Sequence, residues 1–425
     1  MRYLLTAAIL AVAGWLNFSP APESPLVVHE WGTFTSFSDA KGELVSFRPL
    51  VANRLPTFVF DRQRQHGTPD VSFSKPTVWA RQRMETPVTY FYTDRPRDVS
   101  VSVDFPQGFL TEFYPPVRKL LPPAEMWQWE SGMNNARLDW GQVRLIPEAE
   151  FDRTIGAEAA RAGRSAIPLV SGDDHYGHAR ATDSAIVEFA NPEGHGTHYE
   201  KFLFYRGLGN FDQPAKLTAQ GGGKFALQND GDQDLPHVFL VEIEGHKVRY
   251  SYYAAAKAKA TLAMELASEP SSIDAVADAM AESLVEAGLF EKEARSMVNT
   301  WRSSWFTESG TRVLYMLPQP WTEALIPLKI DPQPQSTLRV MVGRLEAMTP
   351  EQEKELATLI ASDTPEAVVA AAPHNVLGRL GRFASAAAYH VGGQLPTEDL
   401  RNRANQISSG LCLVEDAREA EVASR

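Results

Sequence analysis

From Asp98 to Phe105 the chain alternates without interruption: Val99, Val101, Val103 and Phe105 are apolar, while Asp98, Ser100, Ser102 and Asp104 are polar. Successive side chains of a strand point to opposite faces, so this run has one dry face and one wet one. Such a pattern fits an antiparallel sheet covering a core, and it does not fit a helix. Val88–Tyr92 reads as the antiparallel partner, joined across Asp94-Arg95-Pro96-Arg97. Further strands are predicted at Leu26–Ser36, Leu138–Ile146, Ala185–Phe189, Phe202–Tyr205, Arg312–Leu317 and Thr337–Glu346. Val238–Glu244 and Lys247–Tyr252 flank Gly245-His246, where glycine in first place suits a type II′ hairpin.

Helical signals come later in the chain. Ala254–Ser268 is alanine-rich and reads as helix, and Ser271 with Asp274 marks the start of another. Ile273, Val276, Met280 and Leu284 then repeat at helical spacing, Gly288 supplies a stop, and Glu291–Trp301 continues with Ala294, Met297, Val298 and Trp301 inward. Prolines 318, 320, 327, 332 and 334 define an extended loop, with Glu308 and Arg312 expected as an ion pair before it. Thr349-Pro350-Glu351-Gln352 is a capping box with proline in the first turn, and helices also start at Thr364 and Thr397.

The predicted fold is mainly β with helical additions, of the α+β, multi-domain kind. Residues 26–150 and 160–252 form two β-sandwich-like domains, the second with histidine-rich loops. Residues 253–310 form a helical insertion, 311–346 return to β structure, and 349–425 make a C-terminal helical piece.

Met1-Arg2 followed by the apolar run Tyr3–Leu16, with small-residue sites at Ala11-Val12-Ala13 and Ser19-Pro20-Ala21, is a signal-peptide pattern over residues 1–21. Pro22 disfavours processing after Ala21 and leaves an uncleaved anchor as the alternative, though the run is shorter than the ~20 residues of a spanning helix. The expected location is periplasmic or secreted, with no transmembrane segment beyond that N-terminal signal. Cys412 is the lone cysteine, so neither an internal disulfide nor a cysteine-based zinc cluster can form. A formal charge of -12 without a basic run disfavours nucleic acid as a partner. No phosphate-binding glycine loop and no G-x-S-x-G elbow occurs, which argues against nucleotide chemistry and the common serine-hydrolase fold.

Chemistry-bearing residues concentrate in Ser171–Gly207. His175, His178, His195 and His198 lie here with Asp173, Asp174, Glu193 and Glu200. Imidazole and carboxylate suit a borderline divalent ion such as zinc, so the four histidines and Asp174 are candidate metal ligands and Glu200 a candidate base toward metal-bound water. The i, i+3 spacing lacks the helical geometry of HExxH, and polar loop histidines facing solvent are the alternative. His29 and Glu30 are secondary candidates, alternatively an edge-strand pair beside a core Trp31. Trp127 and Trp129, at i, i+2, can stack on sugar rings if exposed and fill a core if not.

The segment HEWGTFTS at His29–Ser36 resembles a family of uncharacterised exported bacterial proteins that carry this motif near the mature N-terminus. METPVTYFY at Met84–Tyr92, EKFLFYRG at Glu200–Gly207 and WRSSWFTESGTRVLY at Trp301–Tyr315 resemble the same group. The likeness runs from about His29 to Glu346. It implies export and a shared architecture, and it supplies no mechanism.

Two readings of function follow. One is an exported cell-envelope protein that binds or assembles, with a glycan or envelope protein as partner. The alternative is a metal-dependent hydrolase acting on an extracellular polymer or ester.

Overall fold

A computed structural model describes residues 25–49, 55–62, 78–123, 134–170, 175–190, 196–245 and 247–423. The expected signal segment 1–21, Trp127, Trp129, Asp174, His195 and His246 lie outside the described residues.

The fold is mainly β with helical additions. Its strands are β1 (Val27–Ser38), β2 (Phe60–Asp61), β3 (Gln82–Tyr92), β4 (Arg97–Phe105), β5 (Gly108–Tyr114), β6 (Lys119–Leu121), β7 (Ala136–Ile146), β8 (Ile186–Ala190), β9 (Thr197–Glu200), β10 (Leu203–Gly209), β11 (Ala215–Gly221), β12 (Lys224–Asn229), β13 (Leu235–Glu244), β14 (Lys247–Ala256), β15 (Ala260–Glu265), β16 (Gly310–Leu317), β17 (Leu328–Asp331) and β18 (Ser336–Ala347). They form a nine-stranded sheet in the order β14-β13-β16-β18-β1-β3-β10-β5-β2, a sheet β17-β4-β7-β8-β9 with β6 beside β7, and a three-stranded sheet β11-β12-β15. The helices are α1 (Glu148–Phe151), α2 (Ala157–Arg161), α3 (His175–His178), α4 (Ile273–Glu286), α5 (Glu291–Phe306), α6 (Gln319–Leu325), α7 (Pro350–Ser362), α8 (Pro365–Ala370), α9 (Val376–Leu380), α10 (Ala384–Gly393) and α11 (Glu398–Ala423).

Strand alternation sorts β1 into two cores. Val28 and Phe34 face a core shared with Val101, Val103 and Trp140 of the second sheet and with Leu217 and Phe225 of the three-stranded one. Trp31 faces the opposite way, into a core with Met280 and Leu284 of α4 and Met297, Trp301 and Trp305 of α5. The layers are therefore two helices, the nine-stranded sheet, and the two smaller sheets. A third core holds α7 to α11 together and reaches Phe37, Val45 and Phe47 near the end of β1.

Several local expectations hold. Val276, Met280 and Leu284 are buried on α4, which is capped by Ser272 rather than Ser271. Thr349 and Gln352 make the capping box of α7, and the Thr364 side chain caps α8. The β13–β14 hairpin pairs Glu244 with Lys247, and Gly245 takes a positive φ of 62°, open to glycine at little cost.

Other expectations are corrected by long-range pairing. Residues 26–150, 160–252 and 311–346 do not enclose separate sandwiches, because β1, β3, β10, β13, β16 and β18 from all three join one sheet. Neighbouring strands β3 and β4 do not pair with each other; β3 lies between β1 and β10, whereas β4 pairs β7 and β17 in the facing sheet. The alanine-rich run 254–268 is not helical. Its first residues extend β14, and β15 pairs β12 with Leu262 opposite Leu227, so sheet hydrogen bonds override a weak intrinsic preference. The expected loop between Pro318 and Pro334 contains α6 and β17. β1 is a central strand, so His29 and Glu30 are not on an edge.

Candidate functional site

The histidine stretch divides on folding. β8 pairs β9 as a hairpin, with Phe189 opposite His198, while β10 crosses into the nine-stranded sheet. His198 is thus a strand residue, its Nδ1 3.4 Å from the Tyr114 hydroxyl, and burial lowers its pKa. His175 and His178 sit on the single turn α3. His175 Nε2 accepts from Arg206 at 2.8 Å, and burial together with Arg206 and Arg83 pushes its pKa down to about 3. A guanidinium on the imidazole nitrogen opposes a cation at that atom. Among the described residues no three His, Cys, Asp or Glu side chains form a group able to hold a metal ion. The proposed ligand set His175, His178 and His198 is therefore not brought together, and its remaining members, Asp174 and His195, lie outside the described residues.

Glu200 does not stand ready as a base. Arg180 grips both its oxygens, at 2.9 Å from Nε and 2.6 Å from Nη2, and the Tyr176 hydroxyl and Lys201 amide complete the shell. The carboxylate is fully buried and acts as the anchor of this turn.

Alternation sends the other candidate pair to opposite faces of β1. Glu30, fully buried, accepts from Thr89 at 2.8 Å, Tyr205 at 2.7 Å and Arg339 Nε at 2.7 Å. His29 turns toward α5, where its Nδ1 lies 2.8 Å from Glu293; that carboxylate also accepts from Tyr92 at 2.7 Å and from the Phe290 amide at 2.8 Å. Both arrangements satisfy their polar groups by joining β1 to its neighbours.

At the far end of the helix-facing side, apolar packing gives way to an ionic network of which the sequence showed only Glu308 and Arg312. Arg83 and Arg382 flank Glu85 at 3.2 and 3.1 Å, Arg344 bridges Glu346 at 2.9 Å and Glu308 at 2.8 Å, and Arg312 reaches Glu346 at 3.1 Å. Burial alone raises the Glu85 pKa, but Arg382, Arg83, Arg344 and Arg206 outweigh it and hold it down to about 2. Arg312 pairs with Glu346 rather than with the Glu308 side chain, and it takes the Glu308 carbonyl instead. Thr86, at φ 48°, holds a strained conformation beside this network and accepts from Arg206 through its hydroxyl at 3.0 Å. The visible sequence signal was the charged pair Arg83 and Glu85 at i, i+2 within an apolar strand.

An open groove of about 1400 Å³ lies between the segment following β1, at Leu44, Val45, Ser46 and Arg48, and the helices α10 and α11. Trp79 and Tyr389 line it with ring centroids 6.2 Å apart, inclined at 46°. Tyr389 is 59% exposed and Leu413 70% exposed, more than large apolar side chains usually are. Arg48 forms the floor, donating to Glu415 at 2.9 Å, to Asp416 and to the Cys412 carbonyl. Cys412 lines the groove with its thiol pKa raised by burial, which disfavours the thiolate needed for nucleophilic chemistry. Sequence reasoning missed this groove, although Arg401, Asn405, Ser409 and Asp416 fall at near-helical intervals on α11.

Fold and site together define a mainly β, α+β protein with buried ionic clusters and a groove where Tyr389 and Leu413 are exposed beside Trp79. No protein-family model and no curated protein matches the chain. Solved structures to which it is similar include the yeast delta-COP-I mu-homology domain at 7% identity and that domain complexed with the Dsl1 WxWxV peptide at 6%. Each likeness covers 77% of this chain and 98% of the other at a TM-score of 0.26, which is too low to carry an argument about this protein. Among the described residues no helix is long and apolar enough to cross a membrane.

Proposed function

We propose that this chain is an exported cell-envelope protein that binds or assembles rather than catalyses, and that it engages its partner in the groove beside α10 and α11. The observation that carries this reading is the exposure of Tyr389 and Leu413 at a concavity of about 1400 Å³, while Glu200, Glu30 and His29 are each committed to an internal hydrogen-bonded partner. Tyrosine and tryptophan at the rim supply large, rigid contact area at low entropic cost. Export rests on the positive start, apolar run and small-residue sites of residues 1–21 and on the HEWGTFTS resemblance.

The test is retention of the purified chain on immobilised envelope polymers and envelope proteins, compared with a Tyr389→Ala, Leu413→Ser variant. Both changes lie at exposed positions, so the fold is expected to persist, and circular dichroism checks it. The reading expects retention by the parent and its loss in the variant. Equal retention removes the groove from the proposal, and no retention of the parent on any surface removes the binding reading itself.

A further inference from the structure

Resting on that binding reading, the groove also carries information about ligand class. Its α11 wall is a row formed by Arg401, Asn405, Ser409 and Asp416. At ~1.5 Å per residue the row is about 22 Å long. A volume of about 1400 Å³ exceeds the roughly 300–1,000 Å³ of sites for compact small molecules. The shape therefore calls for an elongated ligand of several units.

Charge narrows the choice. Arg48 is matched by Glu415 and Asp416, and His390 lies 3.2 Å from Asp39. Arg401 spends one donor on the Leu395 carbonyl at 2.7 Å. A polyanion would approach the carboxylates of Glu415 and Asp416, and a polycation would approach Arg48 and Arg401; neither sign finds a field of its opposite. An apolar helix or acyl chain would cover Asn405 and Ser409 without satisfying them, which costs free energy. Both residues are hydrogen-bonding types, an amide with donors and an acceptor and a hydroxyl with both. The same groove is lined by Trp79 and Tyr389, aromatic rings whose negative π-surface attracts polarised C–H groups.

We infer that the groove takes a neutral oligosaccharide, its C–H faces against Trp79 and Tyr389 and its hydroxyls toward Asn405 and Ser409. The ring faces contribute affinity, and the polar row sets the register of the sugar units.

Titration of the full chain by calorimetry tests this, with neutral hexasaccharides of glucose, mannose and N-acetylglucosamine as probes, an oligogalacturonate as the acidic control and an apolar peptide as the third arm. The expected result is binding of at least one neutral hexasaccharide, weakened about tenfold by Tyr389→Ala, the scale of one aromatic contact with its buried area. Asn405→Ala also weakens it, and added salt leaves it unchanged because no charge is neutralised. Tighter binding of the acidic probe, or neutral binding indifferent to both substitutions, overturns the inference. Groove-dependent binding of the peptide alone overturns the ligand class and leaves the binding reading standing. If no probe binds and no envelope material is retained in the groove-dependent assay, both fall.

Discussion

Glu30 and Arg339, 309 residues apart, stand opposite each other on the parallel strands β1 and β18 and meet at 2.7 Å with both side chains buried. Thr89 and Tyr205 occupy the second carboxylate oxygen, so the pair joins strands β18, β1, β3 and β10 through one buried charge. Removing one partner leaves the other charge unpaired in a low-dielectric interior. Glu30→Ala is expected to destabilise the fold by about 3–5 kcal/mol. Urea denaturation measures it, and a loss below about 1 kcal/mol, typical of an exposed pair, would refute the structural role.

Stability should fall on mild acidification, and His175 should be one reason. Its folded pKa of about 3 lies below the ordinary 6.5, so between these values the unfolded chain holds a proton that the folded chain does not. The contribution is complete above pH 6.5 and is lost as pH falls toward 3. Glu85 acts in the same direction but lower, complete above its ordinary 4.5 and lost toward 2. His198 and His237 also have lowered values, so the informative comparison is between the parent and His175→Asn. Between about pH 7 and about pH 5 the variant should lose stability less steeply in thermal unfolding. Identical slopes would contradict the assignment.

Arg382 belongs to the segment between α9 and α10, yet its Nη1 donates to Glu85 of β3 at 3.1 Å. Arg382→Ala should weaken the attachment of the helical piece by about 1.5–3 kcal/mol, the worth of a hydrogen bond to a charged group. Amide exchange read by mass spectrometry should then quicken in α10 while β1 stays protected. Unchanged exchange in α10 would show that the apolar core around Phe383 holds the piece alone.

Thr349 accepts from the Gln352 amide at 3.2 Å, and Gln352 returns the contact to the Thr349 amide at 2.9 Å. Thr349→Ala should cost about 1 kcal/mol through the lost cap. Chemical denaturation is the measure, and a neutral substitution would mean the cap is replaced by solvent.

Elements whose signals are local were legible in the sequence. The two-residue period of Val99–Phe105, the helical spacing of Val276, Met280 and Leu284, and the capping box at Thr349 each rest on neighbours within a few residues. The same period sets Glu30 with Val28 on one face of β1 and His29 with Trp31 on the other. Local signals do not name partners. They left β3 and β4 paired with each other, kept Ala260–Glu265 helical, and assembled histidines that the fold separates.

The sequence by itself determined that this protein is built on sheets with dry and wet faces, helped by capped helices, because periodicity and capping are properties of short stretches. Only the tertiary structure decided which strands share a sheet, that Glu200 faces Arg180, and that Trp79 comes beside Tyr389 in a groove. The physical reason is separation along the chain: these contacts join residues from 20 to some three hundred positions apart, and what selects them is the burial of whole faces against one another.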